Sequence, residues 1–229
     1  CDAEAALMAA TTDGIAGDES FFEHVHFNFD GNYRLARAWA ESIARALPEV
    51  GQQKTTTAWA SQDVCERAFG LSDWNRMFVY SSVISRMSQP PLAMHFNNAA
   101  RVAVLQQQMT ALRQRLQQTN TVAEANADFL AAVARAPQDN FLRENYGNFL
   151  ESIGDNKGAL AQYLKLSELL PHDFYGCLQA GRLLREAGRL AEGEPLLRRA
   201  ATMRPSLPEP AYELGKAAAA QGNFAEALQ

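Results

Sequence analysis

No run of 18 or more apolar residues occurs in the 229-residue chain, so no segment is offered for a membrane-spanning helix. A basic excess is missing too: 21 Lys and Arg stand against 26 Asp and Glu, a net charge of −5. That balance leaves no electrostatic footprint for nucleic acid. Cysteine is scarce. Cys1, Cys65 and Cys177 are odd in number and share no metal-ligand spacing, so free thiols are expected and no metal or other cofactor is. Free thiols favour reducing or redox-neutral surroundings, the cytoplasm among them. The chain also lacks an initiating Met and stops at Gln229 inside a repeated element, which leads to the expectation of a fragment of a longer protein. Cys1-Asp2 alternatively fits the mature start of a lipidated lipoprotein, with a periplasmic or membrane-attached parent.

What the chain does have is a period. Gly147, Gly181 and Gly215 are 34 residues apart; so are Gly154, Gly188 and Gly222, and so are Pro137, Pro171 and Pro205. Within each period a first helix carries a small residue where its partner crosses (Gly147, Gly181, Gly215), and a Gly-polar turn ends it. A second helix presents Ala159, Gly193 or Ala227 at the crossing, then Tyr163 or Leu197, then Leu166 or Ala200, and proline closes it. This resembles the tetratricopeptide repeat, with Arg143, Leu178 and Ala211 where that family usually has a large early residue. The resemblance implies a mainly α fold, a right-handed helical solenoid over 98–229. Its repeats would be 140–173 and 174–207, with a truncated one at 208–229 and a degenerate capping one at 98–139. In the last, Thr121 and Glu124 read as a capping box and Ala125, Phe129, Ala132 and Pro137 hold repeat positions.

Upstream, residues 2–12 read as a short Ala-rich helix. An aromatic stretch from Phe21 to Tyr33 then leads into an amphipathic helix over 34–47, with Leu35, Trp39, Ile43 and Leu47 on one face and Asn28 or Asp30 as its cap. The order Glu23-x-x-His26, Asn28, Gly31, helix resembles the last block of SGNH (GDSL-like) hydrolases, with Glu where that family usually has Asp. The resemblance implies that 1–50 is the C-terminal remnant of an α/β hydrolase domain. In it Glu23 would hold the tautomer of His26, the general base of a Ser-His-acid arrangement whose serine lies outside this chain. Phe21, Phe22, Phe27, Phe29 and Trp39 would then have packed on a missing sheet. His24 and His26 also fit one face of an edge strand; a metal pair would need a third ligand that no neighbouring cluster supplies. A polar linker, Gly51–Thr57, opens a helical region over 51–97. Helices are expected over 59–69, ended by Gly70, and over 73–87, capped by Ser72 and stopped by Pro90-Pro91. A long helix over 97–118 follows.

The repeat resemblance places binding on the first helices, at Glu144, Asn148, Glu151, Tyr175, Leu178, Arg182, Arg185, Tyr212 and Lys216. Asn148, Arg182 and Lys216 recur at the period as a polar-to-basic ladder, suited to an acidic peptide or a C-terminal carboxylate. Tyr146, Phe149, Leu150 and Tyr163 are expected in the core. Two functions follow: a protein-interaction scaffold within a larger bacterial-type protein, or the C-terminal part of a serine ester hydrolase that is inactive without its nucleophile.

Overall fold

The computed structural model describes residues 1–9, 11–47, 59–118 and 120–223. The linker Gly51–Thr57 and the second helix of the last repeat lie outside them. Chain contacts define two compact units, Cys1–Arg67 with Arg76–Gln114, and Ala68–Asn75 with Arg115–Gln229. Among the described residues no strand forms; one isolated antiparallel bridge joins Phe21 and Phe27.

In the first unit, α1 (Ala3–Met8) packs on α2 (Phe29–Ala46). α1 is shorter than the Ala-rich stretch suggests. α2 starts where Asn28 Oδ1 accepts from Gly31 N–H at 2.8 Å, so Asn28 rather than Asp30 is the cap, and the helix begins five residues before the expected 34. α3 (Gln62–Ala68) is tied back to α2 by Tyr33 Oη donating to the Ala60 carbonyl and Gln62 Nε2 to Asp30 Oδ1, at 2.6 and 2.7 Å. α4 (Asp73–Met87), the 3-10 turn Leu92–Met94 and α5 (Asn98–Leu116) complete the region. Phe22, Val83, Met87, Leu92 and Leu105 form its core, with Phe29, Val79 and Tyr80 packed against them. The aromatic stretch therefore finds cover on α4 rather than awaiting a sheet. Trp39, by contrast, is 53% exposed, and Ile43 and Leu47 are exposed beside it. The amphipathic stripe of α2 is real, but among the described residues little covers it.

The second unit is a run of helix pairs: α6 (Thr121–Arg135), α7 (Asn140–Ser152), α8 (Asn156–Leu169), α9 (Phe174–Glu186), α10 (Leu190–Met203) and α11 (Pro208–Ala220). Each packs on the next, and α9 also meets α11, the side-by-side order of tetratricopeptide-type repeats. Gly154, Gly188 and Gly222 all take positive φ, at 83°, 74° and 80°. At each, the glycine N–H bonds the carbonyl three residues back and the next N–H bonds the carbonyl five back, as in Asp155 N–H to Leu150 O at 2.9 Å. These are three Schellman caps, the reason glycine recurs at that position. Asp139, Asp155 and Asp173 cap α7, α8 and α9, each accepting from a backbone N–H two or three residues on.

Phe129, Ala132, Tyr146, Phe149, Leu150, Ala159 and Tyr163 join one core, as their spacing implies. Two expectations are corrected. Thr121 and Glu124 form no capping box: the Thr121 hydroxyl donates to the carbonyls of Leu116 and Gln118, tying down the end of α5, and Asn120 at φ 84° starts α6 without a side-chain cap bond. Leu178 does not face a ligand; it is 6% exposed in a core with Cys177, Leu197 and Ala200. The 34-residue register makes Cys177, not Leu178, the equivalent of Arg143 and Ala211. Burial pushes its thiol pKa up.

Candidate functional site

The first helices α7, α9 and α11 are laced together by their side chains. Asn148 Oδ1 accepts from the Tyr163 and Tyr175 hydroxyls at 2.7 and 3.0 Å. Burial, with Tyr175 and Glu151 nearby, drives the Tyr163 pKa far up, so its hydroxyl keeps its proton as a donor. Both lone-pair directions of Asn148 Oδ1 are occupied, and no described residue bonds its amide nitrogen.

The basic ladder is not bare. Arg182 Nη2 donates to both Glu151 oxygens, at 2.6 and 2.7 Å, and its Nη1 approaches Glu186. Burial alone would lower the Arg182 pKa, but the hydrogen bonds and charges of Glu151 and Glu186 outweigh it and raise it. Arg185 Nε donates to Glu213 Oε2 at 2.7 Å, and Lys216 Nζ lies 3.2 Å from the other oxygen of the same, buried carboxylate. Lys216 also sits 4.9 Å from the centroid of the Tyr212 ring, which is 65% exposed. The structure thus brings Asn148, Tyr175 and Arg182 together, and Arg185, Tyr212 and Lys216 together, with every cation already holding a carboxylate. Glu186 and Glu213 join Glu151 as the carboxylates that neutralise the ladder. They lie away from the 34-residue pattern that drew attention to the ladder.

Glu144 completes the face. Burial, then the neighbouring Asp173 charge, raise its carboxyl pKa. A raised folded pKa contributes stability that is full below the unfolded value and lost as pH rises through the folded one. Glu144→Gln, which imitates the protonated acid, should therefore raise Tm at pH 7, with the gain shrinking to nothing towards pH 4. Melting curves of both proteins across that range check it, and a gain independent of pH would contradict the assignment.

In the first unit the Glu23–His26 pair is present. Glu23 is 3% exposed, and its carboxylate is hydrogen-bonded by His26 Nδ1, lies 2.6 Å from His24 Nδ1 and accepts from Val25 N–H at 3.0 Å. Burial pushes the Glu23 pKa up, but the His26 bond, the Val25 N–H and the two imidazoles together bring it below its ordinary value. His26 Nε2, the atom that would face a serine, instead has Arg86 Nη1 at 3.1 Å. The same Arg86 nitrogen lies 3.4 Å from His26 Nδ1, so the guanidinium sits beside both ring nitrogens. Glu23, His26 and Arg86 form a chain that ties the 20–28 loop to α4. No group of three His, Cys, Asp or Glu suited to a metal occurs among the described residues.

No family model matches the chain, and no curated relative matches it. Among solved structures it is similar to MamA. A crystal structure of MamA is 10% identical over 75% of this chain and 91% of that one, with a TM-score of 0.46. A MamA from MSR-1 is 17% identical over 71% and 87%, at 0.44. MamA from Desulfovibrio magneticus RS-1 is 16% identical over 67% and 89%, also at 0.44. The assignment of helix pairs rests on the 34-residue register and the three Schellman turns, not on these likenesses.

Proposed function

We propose that the chain is a protein-interaction scaffold that takes an extended peptide along the face of α7, α9 and α11. The observation that carries this is the pair of tyrosine hydroxyls fixing Asn148 Oδ1, which leaves the amide N–H donors of Asn148 unspent, with the Tyr212 ring exposed further along. An acidic peptide, the occupant the ladder suggests, would have to exchange its carboxylates for Glu151 on Arg182 and for Glu213 on Arg185 and Lys216. Exchange of one carboxylate for another gains little, so selection falls to hydrogen bonds and the aromatic contact rather than to net charge.

Fluorescence anisotropy with acidic, neutral and basic peptide pools tests this. Binding is expected to depend weakly on salt and to drop on Asn148→Ala and on Tyr212→Ala, each by roughly five- to tenfold. Binding confined to acidic peptides, abolished by added salt or by Arg182→Glu, would restore the basic ladder. Binding untouched by either alanine would remove the face from consideration.

The Glu23–His26 hydrogen bond favours a second reading, an acid and base retained from a serine hydrolase. With Nε2 held by Arg86, the chain by itself is expected to turn over p-nitrophenyl acetate no faster than free imidazole does. A saturable rate that His26→Ala abolishes would establish the hydrolase reading instead.

A further inference from the structure

A cavity of about 350 Å3 opens in the first unit between the start of α2, α4 and α5. Its apolar wall is an aromatic trio: Phe22, Phe29 and Tyr80 meet edge to face with centroids 5.7 to 5.9 Å apart. Two guanidinium groups line the same space. Arg76 lies with Cζ 4.4 Å over the Phe29 ring and is paired with Glu66 through Nη2. Arg101 spends Nη2 on Asp18, at 2.7 Å, and on the Phe22 carbonyl, at 3.1 Å. Nε and Nη1 of both arginines have no hydrogen-bond partner among the described residues, although the two side chains are only about one-fifth exposed. Planar donors left unspent beside an aromatic wall in a space of this size make a ligand site rather than a packing fault.

We propose that this cavity binds a small aromatic carboxylate, its ring against Phe22, Phe29 and Tyr80 and its anion shared by Arg101 and Arg76. Asp18, 71% exposed on its side chain, holds only Nη2 of Arg101. The anion is received by the unspent Nε and Nη1 donors, which no carboxylate holds, while the Phe22 carbonyl keeps the Arg101 guanidinium in place. A volume near 350 Å3 accommodates one or two fused rings with a carboxylate and little more. A free metabolite-sized acid and the C-terminal residue of a peptide ending in Phe present the same chemistry.

Isothermal titration of the full chain tests it with 2-naphthoate, the uncharged 2-naphthamide and a decapeptide ending in Phe. Naphthoate is expected to bind roughly tenfold or more tighter than the amide, and Arg101→Gln to remove that advantage. Ala100→Phe supplies a variant that leaves the arginines alone: Ala100 is exposed on α5 and lines the cavity, so the added ring should block both compounds while the far-ultraviolet circular dichroism stays unchanged. A decapeptide that competes at equal affinity would assign the site to a chain terminus, and one that fails to compete would assign it to the free acid. Equal binding of naphthoate and naphthamide, naphthoate binding indifferent to Ala100→Phe, or no saturable binding of naphthoate at millimolar concentration would overturn the proposal.

Discussion

Phe129→Ala is expected to destabilise the repeat unit by about 3–5 kcal/mol, the usual cost of deleting a fully buried aromatic ring. Phe129 has no exposed surface; its ring stacks on Tyr146 at 5.1 Å and lies 5.2 Å from Phe149. It also closes over Gly70, where φ is +66° and a Cβ would come within 2.7 Å of the ring. The hole would thus open between α6, α7 and the segment before α4, three elements that cannot all move in. Phe141, one helix on and 72% exposed, is the matched control. Its alanine variant should stay within about 0.5 kcal/mol. In thermal melts the first substitution should lower Tm by roughly ten degrees and the second by at most one or two. Similar shifts for the two phenylalanines would mean that the α6–α7 packing is misassigned.

The other large effect belongs to the α9–α10 crossing. A Cβ on Gly181 would lie 2.7 Å from Leu197 Cγ and 3.0 Å from the Gly193 carbonyl, and one on Gly193 would lie 2.8 Å from the Gly181 carbonyl. Leu197 is wholly buried and cannot swing clear. Gly181→Leu should therefore cost at least the 1–3 kcal/mol typical of overpacking, and urea titration of the unfolding transition measures it. Gly181→Ala gives the sign test. Helix propensity alone would make it stabilising by about 1 kcal/mol, and the crossing should reverse that to a loss. Glu192→Ala, which removes an exposed pair with Arg189 on the same helix pair, should leave the midpoint almost unmoved. A stabilised Gly181→Ala protein would show that the two backbones do not approach as closely as the register requires.

The same contrast between local and distant causes separates what was legible in the chain from what was not. The helix pairs could be read because their signals are short-range. A left-handed residue after a helix calls for glycine, a close crossing calls for a small side chain, and both recur every 34 residues at Gly154 and Gly188, Gly147 and Gly181. The cap of α2 was legible as one of two candidates, since Asn28 reaches a backbone N–H only three residues away, although the helix begins at Phe29 and not at the expected 34. Glu23 and His26 are hydrogen-bonded, being only three residues apart. The capping box at Thr121 failed although it too is local, because a single hydroxyl had a competing pair of carbonyls at the end of α5.

Tertiary structure decided most of the charge pairing, beyond the local Arg182–Glu186 and Lys216–Glu213 pairs. Arg182 meets Glu151 across 31 residues and Arg185 meets Glu213 across 28, while Arg86 reaches His26 across 60 and Arg101 reaches the Phe22 carbonyl across 79. Such pairs depend on how each helix is rotated about its axis and on which long side chain reaches furthest, and neither leaves a period in the sequence. A ladder that reads as basic along the chain is therefore neutralised in space. Of two neighbours in sequence, Cys177 and Leu178, rotation of α9 sends both into the core. The sequence by itself determined where the helices of the repeats begin, turn and cross, because those are demands on single backbones and on small atoms at fixed intervals. Packing decided which side chains remain free to meet a ligand, because that is set by partners supplied from other helices.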